Sequence, residues 1–123
     1  MRRPVIPGAT DRDGQELRSR PLLRPAILLL LREQESHGYE LMGRLAEVGV
    51  EIPPTSGGLY RTLYAMADDG LLASYWATPE HGPARRVYAI TQQGEQYLER
   101  SMPALAGLAR TVRAMLNRYR RGS

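Results

Sequence analysis

The groups in this 123-residue chain best suited to chemistry are arginine and tyrosine side chains at short spacing. Tyr60, Arg61 and Tyr64 follow directly on Ser56, Gly57 and Gly58, at a spacing that suits the first turns of a helix. Arg85 and Arg86 stand side by side among strand-forming residues, with His81 just upstream. A guanidinium donates from a planar fork, a phenol donates or accepts, and free N–H groups at a helix start attract anions. That inventory can grip phosphates and base edges; it does not break bonds.

Catalytic alternatives fail on residue type. Cysteine is absent, which excludes a disulfide framework, a thiol nucleophile and a thiolate metal site. The two histidines, His37 and His81, are far apart. Glu33 and His37 are two ligands without a third, so no metal is expected. Asp68 and Asp69 are adjacent and point about 100° apart on a helix, so they read as a solvated helix end. Gly57-Gly58 lacks the lysine of a phosphate-binding P-loop. No nucleophile, base and orienting group can be assembled, so neither an enzyme nor a cofactor is expected.

Charge points to an acidic partner, but unevenly. All 17 basic residues are arginine and the formal net charge is +4. Residues 1–24 hold six arginines against three acids, and residues 96–123 six against one. Residues 25–70 hold three against seven, and residues 71–95 balance. The basic surplus therefore sits at the two ends. A mobile arm over 1–20, through Arg2, Arg3, Arg18 or Arg20, and Arg24 beyond it, would supply phosphate attraction that ignores sequence.

Periodicity places the elements. Pro25 suits the first turn of a helix, and the run Ala26–Leu31 is apolar on all sides. Such a helix is buried all round, by its own domain or by a partner subunit. It is too short to span a bilayer, and no signal peptide is visible. Ser36 is a candidate N-cap for a second helix carrying Leu41, Met42, Leu45 and Val48, with Gly49 at its end. Thr55 or Ser56 would cap a third, whose inner face is Leu59, Leu63 and Met66 and whose end is Gly70. Residues 72–78 and 85–91 then read as two strands around a turn at Pro79–Pro83. Trp76, on the first of them, is read as core or wing packing. Arg85 and Arg86 alternate in orientation, so one of them faces outward to a ligand. The other would pair with a carboxylate such as Glu40. Thr91 would cap a last helix of about 42 Å whose residues Leu98, Met102, Leu105, Ala109, Val112, Leu116 and Tyr119 step by 4 and 3. Pro103 should kink or restart it.

Three helices, a hairpin and a long helix is the winged helix-turn-helix plan: mainly α, with a two-stranded β-wing. Four stretches resemble the PadR family of bacterial transcriptional regulators. They are His37–Leu41, Gly58–Leu63, Gly70–Leu72 and Gly82–Gly94, the last reading GPARRVYAITQQG. The resemblance covers about residues 22–100. It implies a homodimeric DNA-binding regulator, usually a repressor, released by a small molecule or signal, and the single C-terminal helix resembles the short branch of the family, in which that helix dimerises. Two departures stand out. Gly58 replaces a hydroxyl residue common in the family, and the last helix lacks the tryptophan with which some members stack aromatic drugs.

Three parts follow: an arm over 1–20, a winged helix-turn-helix over 21–94 and a dimerisation helix over 95–123. Expected DNA-contacting residues are Ser56, Gly57, Gly58, Tyr60, Arg61, Tyr64, His81, Arg85 and Arg86. Arg61 would read a guanine edge and the tyrosines would hold phosphates; otherwise the tyrosines pack on the wing and Arg61 is solvated. Expected dimer contacts are Leu28, Leu98, Met102, Leu105, Leu108, Val112, Met115, Leu116 and Tyr119. The expected partners are double-stranded operator DNA, a second copy of the chain and a small-molecule or nucleotide effector, in the cytoplasm at the nucleoid and without a membrane. A winged helix that binds protein instead of DNA is the alternative.

Overall fold

The computed structural model describes residues 22–52 and 57–122. The arm over 1–20, with Arg2, Arg3, Arg18 and Arg20, lies outside the described residues, as do Thr55 and Ser56. Helix α1 covers residues 22–33. Then come β1 (Ser36–His37), α2 (Gly38–Glu47), α3 (Gly58–Asp68), β2 (Leu72–Ala77), β3 (Arg85–Ile90) and α4 (Gln92–Arg121). The sheet has three antiparallel strands in the order β1-β3-β2.

The two-stranded wing is present as β2 and β3, and the short β1 joins it as a third strand. Ser36 does not cap α2; it pairs with Tyr88 on β3, and His37 pairs with Val87. The cap is His37, whose Nδ1 accepts from the Glu40 amide. A two-residue strand leaves no periodicity to read, and its pairing is fixed by the distant β3. Arg44 locks this junction. Its guanidinium donates to the Leu30 and Gln34 carbonyls and to the Ser36 hydroxyl, adding a second donor to the Leu30 carbonyl, which already accepts from the Gln34 amide.

Both helices of the helix-turn-helix end the same way. At the end of α2, Gly49 N–H bonds the Ala46 carbonyl and Val50 N–H bonds that of Leu45. At the end of α3, Gly70 and Leu71 do the same to Ala67 and Met66. Both glycines hold positive φ, +86° and +80°, where a side chain would be strained. Val50 and Leu71, the residues after each glycine, are buried.

The core joins Ile27, Leu28, Leu30 and Leu31 of α1 to Leu41, Leu45, Leu59, Leu63 and Met66, with Leu72, Tyr88 and Leu98 closing it. Two dimer expectations are corrected here. Leu28 is fully buried and Leu98 is 2% exposed, both inside this one chain's core. The start of α4 is pressed onto the head: a Cβ on Gly94 would lie 2.3 Å from the Leu71 carbonyl. A helix that close turns Leu98 inward, where no partner subunit reaches it. Val48 also departs from its stripe. It is the C-cap of α2 and 55% exposed.

Thr91 caps α4 as expected, accepting from Gly94 N–H and donating to the Gly70 carbonyl. The helix runs 30 residues, about 45 Å. Pro103 does not divide it. The carbonyl that loses its donor to the proline is that of Glu99, four residues earlier, and Glu99 is exposed, so water can take the place of the missing N–H. Among the described residues, no helix is long and apolar enough to cross a membrane.

Candidate nucleic-acid interface

Helix α3 is amphipathic by construction. Leu59, Leu63 and Met66 enter the core, and Tyr60, Arg61 and Tyr64 remain exposed. Its N-cap is Gly57, not Thr55 or Ser56. Gly57 sits in the left-handed region at φ +68° with no side-chain cap bond. The chain enters α3 through a backbone turn, and the Arg61 guanidinium folds back against it, 3.2 Å from where a Gly57 Cβ would stand.

Tyr60 and Tyr64 meet the wing across a cleft of about 500 Å³. Its walls are His37, Gly38, Tyr39, Tyr60, Tyr64, Trp76, Arg85, Arg86 and Tyr88. Gly38 is what allows α2 and α3 to meet there: a Cβ on it would lie 2.6 Å from the Tyr60 ring. Among the described residues no carboxylate lines this cleft, although residues 25–70 carry a net negative charge. The acids project elsewhere. Asp69, for example, pairs with Arg24 at 2.9 Å, which ties the start of α1 to the end of α3. Arg24 is therefore paired within the head.

Both wing arginines line the cleft, which corrects the expectation that only one would face it. Strand β1 stops at His37, so neither arginine has a cross-strand neighbour on that side. The long Arg85 side chain reaches round the open edge to His37 Nε2, 3.1 Å away. Arg86 donates through Nε to the Ser74 hydroxyl and lies 5.8 Å from the Trp76 ring centroid. Neither pairs with Glu40. Trp76 is no core residue; it is 66% exposed and serves as a platform under Arg86. Tyr88 is buried at the floor of the cleft, and burial pushes its phenol above the usual 10.0, with Arg86 opposing. On the far side of the sheet Tyr75 donates to the Glu35 carboxylate, and that bond raises its phenol likewise.

The structure thus brings Tyr60, Tyr64, Arg85 and Arg86 together, with Arg61 and Gly58 at the start of the same helix. His81 stands apart, exposed in the wing tip and outside the cleft lining. Ser56 lies outside the described residues. Sequence reasoning missed His37, Tyr39 and Trp76 as cleft residues. The signal for the first two was the His37-Gly38-Tyr39 run itself, whose middle residue is the contact point of two helices. No candidate metal cluster occurs among the described residues.

A second groove, of about 620 Å³, runs between Leu22 of α1 and the outer half of α4. Leu105, Leu108, Val112 and Leu116 line it, with Arg113 and Arg120 at the rim. Met102, Met115 and Tyr119 continue the apolar stripe and are exposed.

A helix-turn-helix followed by a sheet whose hairpin flanks the second helix defines the winged helix-turn-helix class. Within that class, the profile of the Transcriptional regulator PadR-like family matches residues 27–100. The chain belongs to this family of DNA-binding transcriptional regulators, which are not enzymes. It is similar to Transcriptional regulator Rv3488 of Mycobacterium tuberculosis, at 39% identity over 93 residues, covering 76% of this chain and 84% of that protein. It also resembles the solved PadR-like transcriptional regulator of Bacillus cereus (27% identity, TM-score 0.70, 81% of this chain and 96% of the other). A PadR family transcriptional regulator from Eggerthella lenta is similar at 27% identity and TM-score 0.70, covering 89% and 94%.

Proposed function

We propose that the chain acts as a homodimeric repressor that binds a pseudo-palindromic operator and is released by a small-molecule effector. The observation that carries this reading is the cleft face, where α3 and the wing present arginines and phenols with no carboxylate among them. Helix α3 enters the major groove with Arg61 toward base edges, and the wing holds the adjoining backbone. Two copies join through the apolar stripe of α4 and place their α3 helices about 34 Å apart, one turn of duplex. An effector of apolar or amphiphilic character, seated beside α4, favours a dimer whose spacing no longer fits the groove. Residues 1–20 then act as an arm, 21–94 as the reading head and 95–123 as the dimerisation helix.

The test is a titration of duplex carrying the promoter of its own or the adjacent operon, across a salt series. Affinity should fall steeply with salt and exceed that for random duplex. Salt-insensitive binding, or no preference between the two, overturns the reading. Arg61→Ala should cost about 1–3 kcal/mol of discrimination at one base pair per half-site.

A further inference from the structure

His37 is held between two donors. Its Nδ1 faces the Glu40 amide at 3.3 Å and its Nε2 faces the Arg85 guanidinium at 3.1 Å. An amide N–H and a guanidinium can only donate, and a neutral imidazole has one accepting nitrogen. One contact is therefore donor against donor. The Glu40 amide is fixed by the backbone at the start of α2, where its helical partner is missing. Arg85 is exposed and its side chain is free to turn. The accepting nitrogen thus belongs to the cap, and the ring hydrogen sits on Nε2, aimed at Arg85.

Two donors converging on one point, in a cleft whose lining has no carboxylate, form a site for an anion. We infer that one operator backbone phosphate is held between His37 Nε2–H and the Arg85 guanidinium, each donating to its oxygens. This rests on the DNA-binding reading above. It assigns His37 to the interface through a dual role: one nitrogen caps α2 and the other grips the duplex. The contact is to backbone, so it fixes position and carries no sequence information. Arg85 contributes charge, and His37 contributes a ring N–H.

The test uses the full chain, two duplexes (promoter and random) and two variants. His37→Asn retains a capping oxygen but loses the second donor. Arg85→Gln changes an exposed side chain. Each should weaken binding about tenfold on both duplexes, leaving their ratio unchanged. Arg85→Gln should flatten the salt slope by about one per subunit, and His37→Asn should leave it unchanged. The double variant should be little weaker than Arg85→Gln, because both groups hold the same phosphate. In the free protein, nitrogen NMR of the ring should show the hydrogen on Nε2. A hydrogen on Nδ1, or His37→Asn binding like the wild type while the wild type binds promoter duplex, overturns this assignment and spares the DNA-binding reading. A wild-type chain that binds neither duplex overturns both.

Discussion

Helices α1, α2 and α3 and the first two turns of α4 each place fully buried apolar side chains in one core, whereas from Glu99 to Gly122 no residue is buried. Both regions carry the same kind of apolar periodicity. The head closes its stripes against one another within the chain. The outer half of α4 is a single helix about 30 Å or more in length, flanked among the described residues by Leu22, Arg24 and Pro25 at the start of α1. A stripe with Met102, Leu108, Val112, Met115 and Leu116 at 40–66% exposure is larger than scattered surface apolar residues and marks an association surface. The head covers its stripes within the one chain, whereas the distal helix leaves its stripe exposed, the surface that the proposed dimer would cover.

Four changes sharpen that contrast. The largest effect belongs to the head. Leu63→Ala, at a fully buried site, should cost about 2–5 kcal/mol in denaturant unfolding; a loss under 1 kcal/mol would show that the head does not carry the core. Next is the pair Val112→Glu with Leu116→Glu. Sedimentation should show a monomer with unchanged head spectra, and operator affinity should fall about 100-fold through lost bivalency. A dimer that survives would break the comparison.

The joint between the regions comes third. Thr91→Ala removes the cap bond to Gly94 and the bond to the Gly70 carbonyl, and should cost about 1 kcal/mol in thermal unfolding. The smallest effect is alkaline. Tyr88 ionises higher in the folded chain than its usual 10.0 because it is buried. The unfolded chain therefore ionises first. Stability from this residue is complete below pH 10 and falls as pH rises through the folded value. Tyr88→Phe should make the unfolding midpoint less sensitive to pH above 10.

Legibility in the sequence followed the range of the interaction. The inner faces of α2 and α3, the glycines ending both helices, the Thr91 cap and the 4-and-3 stepping of α4 all depend on residues within a few positions. Each could be read directly. Features set by long-range closure differ from their local pattern. Ser36 looked like a cap because β3, some 50 residues away, supplies its strand partner. Arg85 and Arg86 looked opposed because successive strand side chains alternate; the long Arg85 side chain nonetheless reaches round the open edge to His37. Leu28 and Leu98 looked available to a partner because a stripe alone does not say which molecule covers it.

By itself, the sequence determined the order of elements, their inner faces and the residue types of the interface, since periodicity and turn chemistry are local and repeat along the chain. Only the tertiary structure decided that an acid-poor cleft forms where the acid-rich segment meets the wing, that His37 stands between the Glu40 amide and Arg85, and that Arg24 is held by Asp69. Those outcomes depend on angstrom-scale approaches between residues up to 48 positions apart, as at Gly38 against Tyr60, and such distances are set by packing, which no spacing along the chain encodes.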